Sequence, residues 1–306
     1  MSRNPLSTSF AGLKLRNPTA LASGILGYTA ESLQRVVEGG AGAVVTKSVG
    51  AAPRMGYANP TVVQANCGLV NAMGLPNPGI DEFVEEIAHA KIILQAPLIV
   101  SVFGYSAEEY ALVAEKAVAA GAEALELNVS CPHVKQTGSE IGQNPRILAE
   151  VVAKVKGAVQ VPVIVKLSPN VTDMAETARV AVKAGADALT AINTVKAMAI
   201  DVDTTLPVLS NTRGGLSGPA IKPIALRCVY DLYETVETPI IGCGGITTWK
   251  DAVEFFLAGA IAVQVGTAVA LENPNVFHAI NRGVKAYLKK KGYGSVKEIV
   301  GIAHRA

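Results

Sequence analysis

The stretch LELNVSCPHV, residues 125–134, runs an apolar strand-like segment into a cysteine followed by proline, with Asn128 three residues before Cys131. A free cysteine is most often a small buried hydrophobe. The position of Cys131 argues for more. Pro132 ends strand pairing, so Cys131 opens a loop beside a polar strand end. By two-residue alternation Glu126, Asn128 and Ser130 share one face of that strand. A thiol on a loop over such a face can serve as a general base, because a base must reach the proton it takes. The other cysteines fit packing roles: Cys228 in a helix, Cys243 within a glycine turn, Cys67 in an excursion from the main fold.

Two lysines carry the next signal. Lys47 and Lys166 lie inside apolar runs, AVVTKS and VPVIVKLSP. Burying an ammonium is costly unless it is paired. Each lysine either snorkels to solvent at its strand end or faces an anionic ligand. Neither strand offers an evident acidic partner, which favours a bound cofactor or substrate.

The elements that must position these residues come from an internal repeat. Ala-Gly-Ala recurs at 41–43, 120–122, 184–186 and 258–260, each time after a helix-like segment and before a short apolar run. Between these lie four strand-like runs opened by proline: 17–24, 96–104, 161–169 and 238–245. Proline is tolerated at the first residue of a strand. The two strand types alternate and make eight. Helix-like segments follow nearly every strand: SAEEYALVAEKAVAAG has a Ser N-cap, and VTDMAETARVAVKAG opens with Thr172 as its expected N-cap. Eight β–α units predict an α/β protein folded as a (β/α)8 TIM barrel. Residues 49–95 and 195–217 exceed the minimal barrel. Both follow strands, so both are expected as β-rich flaps at the C-terminal face, within one domain spanning 1–306.

In such a barrel, polar residues at the C-terminal strand ends read as site chemistry. Here every strand supplies them: Ser23-Gly24, Lys47-Ser48, Ser101, Asn128 with Ser130, Lys166 with Ser168, Asn193-Thr194, Gly244-Gly245 and Gly266-Thr267. The last two strands end in GCGGI and QVGTA, where this fold often binds phosphate through backbone N–H groups. A phosphate there, together with two inward lysines, suggests FMN, with one lysine stabilising the negative charge of the reduced ring.

Composition narrows the alternatives. The chain has 306 residues, 50% hydrophobic and 5% aromatic, with a net charge of +2. No basic cluster points to nucleic acid. The four cysteines form no CxxC pair, so neither zinc nor chain-borne iron–sulfur ligation is expected. MSRNPLSTSF lacks the apolar core of a signal peptide, and no apolar run approaches the roughly 20 residues of a membrane span. The expectation is a soluble cytoplasmic protein.

The stretches LASG, VVTKSV, VNAMGLPNPG, LELNVSCPHV, VIVKLSPN, AINT, GGLSGPAIKPIALR, GCGGI and VQVGTA resemble the class 1 dihydroorotate dehydrogenases, over nearly the whole chain. Cysteine in NVSCP separates it from the membrane-bound class 2 enzymes, which use serine. AMAIDVDT and GGLSGPAIKP look more like subclass 1B. The resemblance implies that Cys131 removes the C5 proton of dihydroorotate while hydride leaves C6 for the flavin, giving orotate in pyrimidine biosynthesis. It implies that Lys47, Asn71, Asn128, Asn193 and Thr194 bind the pyrimidine and its carboxylate. The loop Asn71, Ala72, Met73, Gly74 and Leu75 would close over it. Ser23, Lys47, Ser48, Asn128, Lys166, Ile192, Gly218, Gly244, Gly245, Gly266 and Thr267 would hold FMN. It further implies a homodimer within a heterotetramer, whose second chain carries FAD and a 2Fe–2S cluster and passes electrons to NAD+. Three features depart from the family's pattern: Ser101 where Asn is common, His133 after Cys-Pro, and a loop KQTGSEIGQNP poorer in glycine. Competing readings are a dihydropyrimidine dehydrogenase-type enzyme, whose substrate has no carboxylate, a non-redox phosphate-binding barrel, and a non-catalytic barrel kept for assembly.

Overall fold

The computed structural model describes residues 4–130 and 141–305. Cys131 and His133 therefore lie outside the described residues. The eight expected strands are β1 (Thr19–Leu21), β2 (Ala43–Val45), β3 (Leu98–Val102), β4 (Ala124–Asn128), β5 (Val163–Leu167), β6 (Ala188–Ala191), β7 (Ile240–Cys243) and β8 (Ala262–Val265). They close into a parallel barrel in which each strand pairs with the next and β8 pairs with β1. The prolines stand where the missing N–H costs no ladder bond. Pro18, Pro97, Pro162 and Pro239 each precede a strand and give only a carbonyl, to Val263, Val44, Leu125 and Leu189 respectively.

Alternation sorts each strand into two faces. Leu125 and Leu127 of β4, and Val163, Val165 and Leu167 of β5, point outward into the core shared with the helices. Inward, the barrel is layered. Its lower layer is apolar: Ile99, Ala124, Ile164, Ala188, Ile241 and Ala262 meet Phe10, Leu13 and Leu15. Those last three belong to an antiparallel hairpin, Thr8–Phe10 with Leu13–Leu15, which plugs the N-terminal mouth and was not foreseen in the sequence. Burying side chains of this size contributes about 1.5–3 kcal/mol each. The next inward layer is polar and buried: Ser101, Glu126, Lys166, Thr190 and Gln264.

The outer ring comprises α1 (Ala30–Glu38), α2 (Ile80–Ile93), α3 (Ala107–Ala119), α4 (Pro145–Ala158), α5 (Met174–Lys183), α6 (Lys222–Thr235), α7 (Trp249–Leu257), α8 (Thr267–Leu271) and α9 (Val276–Lys291). Ser106 caps α3, accepting from the Glu109 N–H. For α5 the expected cap moves by one residue. Asp173, not Thr172, accepts from the Glu176 N–H at 2.9 Å, because a carboxylate one residue later reaches the third helical N–H. Gly283 lets α9 lie against α7: a Cβ there would sit 2.1 Å from Trp249 Cγ. Among the described residues no helix is long and apolar enough to cross a membrane.

The two excursions are β-rich, and they are joined. Val62–Ala65, Gly68–Asn71, Gly214–Ser217 and Val195–Ala197 form one antiparallel sheet, with Gly68–Asn71 and Gly214–Ser217 at its centre. A Cβ on Gly68 would lie 2.0 Å from the Ser217 carbonyl oxygen, so glycine is what allows this close approach. The sheet roofs the C-terminal end of the barrel.

Candidate active site

Between roof and barrel lies a cavity of about 1010 Å3, at the upper end of the range for small-molecule sites. Of the strand-end and loop residues expected from the sequence and described in the structure, all stand on its wall except Ser168, whose hydroxyl instead accepts from Asn170. The barrel ends bring Ser23, Lys47, Ser48, Ser101, Asn128 and Lys166; the end of β6 brings Ile192, Asn193 and Thr194. Gly244, Gly245, Gly266 and Thr267 follow β7 and β8, and Gly218 precedes α6. The roof adds Asn71, Ala72, Met73, Gly74 and Leu75.

Hydroxyls and amides bind these ends together. Ser48 Oγ lies 3.3 Å from Ser23 Oγ and 2.8 Å from Ser101 Oγ, and accepts from Asn128 Nδ2 at 3.2 Å. Ser101 is fully buried in this chain, so the shorter side chain completes a hydroxyl relay in the wall. Asn128 Oδ1 accepts from the Ser130 N–H at 3.3 Å and Asn193 Nδ2 at 3.4 Å; Asn193 Nδ2 also donates to Ser130 Oγ at 3.0 Å. Thr267 Oγ1 meets Ser217 Oγ at 2.9 Å, and Asn71 Nδ2 donates to the Gly215 carbonyl at 3.2 Å. The face that ends at Ser130 is thus fixed up to the residue before Cys131.

The two lysines are both buried, and their settings differ. Lys47 donates to the Gly24 carbonyl at 3.0 Å and lies 5.4 Å from the Tyr28 ring centroid. Among the described residues it has no carboxylate partner, and burial pushes its pKa below the ordinary lysine value. Lys166 corrects the expectation that neither lysine has an acidic neighbour. Its Nζ sits 3.4 Å from Glu126 Oε1, on the adjacent strand β4. Burial alone would lower its pKa, but the Glu126 carboxylate overrides burial and raises it. Cys243 is also placed differently than expected: it is the last residue of β7, not part of the glycine turn, because its backbone still pairs with Gln264 of β8. Burial raises its pKa against the pull of Lys166, so it stands as a neutral thiol on the cavity wall.

Several wall residues escaped the sequence reading. Arg54 donates through Nε to the Gly74 carbonyl at 3.3 Å and through Nη1 to the Tyr105 hydroxyl, tying the 71–75 loop to the end of β3. Asn170, Lys196 and Arg213 also line the cavity. Asn170 and Arg213 sit in irregular segments and Lys196 in the three-residue strand Val195–Ala197, too short to show a period. Gln264 could have been found: it interrupts the apolar run IAVQVGT as the lysines interrupt theirs.

The site can hold an anion on Lys47, present amides to a planar polar ring, and accept a phosphate where glycines leave the backbone bare. Comparison with known proteins narrows that chemistry. The dihydroorotate dehydrogenase family model matches residues 5–288. Relatives described as the catalytic subunit of dihydroorotate dehydrogenase B (NAD(+)) include one from Pyrococcus abyssi, 55% identical, covering 97% of this chain and 99% of its own length. Another, from Methanosarcina mazei, is 52% identical over 99% of this chain and 96% of its own. With identity at this level running through barrel and roof alike, the chain belongs to the dihydroorotate dehydrogenase family, on its class 1B catalytic-subunit branch.

Proposed function

We propose that this chain oxidises dihydroorotate to orotate, a step of pyrimidine biosynthesis, with FMN in the cavity. The observation that carries this reading is Lys47: a buried cation with no described carboxylate partner, on the wall beside Asn71, Asn128 and Asn193. A pyrimidine carboxylate would neutralise it and the amides would take the ring's polar edge. Dihydrouracil has no such carboxylate. In dihydroorotate the C5–H and C6–H bonds break and a C5=C6 double bond forms. Cys131, next in sequence after Ser130, takes the C5 proton. FMN, when bound, supplies the acceptor for the C6 hydride.

The residues present fit FMN. Gly244 and Gly245 have φ of +131° and +72° and line the cavity, so their backbone would hold a phosphate there. A Cβ on Gly24 would meet nothing within 4 Å, leaving that wall open to a ligand. Lys166, Ser23, Ser48, Ser101, Ile192, Gly218, Gly266 and Thr267 complete the holding set. The fold is read as one cytoplasmic domain over residues 1–306. The electrons pass to NAD+ through a partner subunit with FAD and a 2Fe–2S cluster, in a heterotetramer built on a homodimer of this chain.

The test is anaerobic mixing of the FMN-loaded chain with dihydroorotate. Flavin bands should bleach, with no response to dihydrouracil. The rate should rise with pH toward the ordinary thiol pKa of about 8.5. Cys131→Ser should keep FMN and slow bleaching by orders of magnitude. Bleaching by dihydrouracil instead would transfer the assignment to a dihydropyrimidine enzyme, and near-normal reduction in Cys131→Ser would remove the base.

A further inference from the structure

At the cavity floor lies a closed polar ring, of which the reading above uses only Lys166. Glu126 (β4), Lys166 (β5), Thr190 (β6) and Gln264 (β8) are all buried, and Glu126 and Thr190 have no exposed surface at all. Lys166 Nζ donates to Gln264 Oε1 at 3.0 Å and Glu126 Oε1 at 3.4 Å. The other Glu126 oxygen accepts from Thr190 Oγ1 at 2.9 Å and from Gln264 Nε2. Both carboxylate oxygens and the amide of Gln264 are thereby occupied.

An ammonium has three N–H donors. The ring takes two of those on Lys166, and the third remains for the cavity, whose wall includes Lys166. A lysine this deep would shed its proton without a counter-charge. A buried ion pair is a poor source of net stability, since apolar side chains of like volume serve as well. What it gives here is a cation of fixed charge and fixed direction. We infer that Glu126 is a positioning residue: it holds Lys166 in the charged form and, through the ring with Gln264 and Thr190, aims the remaining N–H at the cavity. Among the described residues two titratable groups face Lys166, Glu126 and the Cys243 thiol of β7, and of these Glu126 is within ion-pair distance. The consequence for chemistry rests on the flavin reading above. A permanently charged Lys166 would present FMN with a charge that does not vary with pH.

The test is lysine NMR on the full-length chain labelled at 13Cε, with the Lys166 signal assigned by its loss in Lys166→Arg. In the wild type it should stay protonated up to about pH 10. In Glu126→Gln its proton affinity should fall at least about ten-fold, bringing the titration into that range. With FMN loaded, the midpoint potential of Glu126→Gln should then show an added break in its pH slope over the same range, on top of the slope that flavin protonation gives both proteins. Loss of packing alone would not produce that coupling. Equal titration in both proteins overturns the inference. If Glu126→Gln does not fold, the wild type decides: protonated Lys166 supports the inference and a Lys166 neutral at about pH 7 overturns it. A wild type that takes up no FMN sinks the flavin reading, while the lysine titration still decides this one.

Discussion

Lys47 and Lys166 look alike in the sequence, each a cation inside an apolar run, yet the structure gives them opposite surroundings. Lys166 is paired within the barrel, whereas among the described residues Lys47 bonds the Gly24 carbonyl and meets the Tyr28 ring but has no carboxylate partner. Lys47 is therefore the group whose charge a ligand must complete. Lys47→Met should weaken orotate binding about ten- to hundred-fold, the span of a lost charge-assisted hydrogen bond. Uracil binding should barely change. Titrating the shift of the flavin bands with each ligand measures this; equal losses for both would show that Lys47 only shapes the pocket. That both lysines mattered was legible because an ammonium in a buried strand is rare. That only one needs a ligand was not, since Glu126 lies 40 residues from Lys166 and meets it only when β4 and β5 pair.

At the scale of elements, caps and packing decide how firmly the strand ends are held. The start of α7 follows directly on the Gly244-Gly245 turn. Its capping box pairs Thr248 with Asp251, and Lys222 at the start of α6 reaches Asp251 at 2.8 Å and Glu254 at 2.8 Å. Burial would raise the Asp251 pKa, but the Lys222 bond and the N–H groups of Thr248 and Thr247 outweigh it and hold the group at about 2. The folded value lies below the unfolded one of about 3.9, so the stabilisation is complete above pH 4 or so and is lost as pH falls through about 2. Asp251→Asn should cost about 1–2 kcal/mol near pH 7 in urea unfolding. The gap to the wild type should narrow on going toward pH 3. A gap indifferent to pH would mean the carboxylate's charge is not what stabilises this corner. The box is local, with Thr248 and Asp251 three residues apart in TTWKD. The clasp from α6 was not, because residues 222 and 251 are joined only by packing around the barrel.

For the whole molecule, the cavity joins strand ends from all around the barrel to a roof made of two distant segments. A ligand that fills it should therefore stabilise the chain as a unit. FMN at a hundred times its Kd should add about 2.7 kcal/mol, read as a rise of several degrees in Tm. Riboflavin, without the phosphate, should give a smaller rise at equal concentration; an equal rise would remove the phosphate role from Gly244 and Gly245. The sequence alone determined the barrel, because alternation, proline placement and the Ala-Gly-Ala repeat are local signals tied to periods of two and 3.6 residues. It also determined which strand ends are polar, and so which residues stand on the cavity wall. Only the tertiary structure decided that strands within residues 62–71 share one sheet with Val195–Ala197 and Gly214–Ser217, that an N-terminal hairpin plugs the barrel, and that Glu126, Thr190 and Gln264 enclose Lys166. These depend on which strands become neighbours when the barrel closes, and pairings between distant segments leave no periodic mark in either partner.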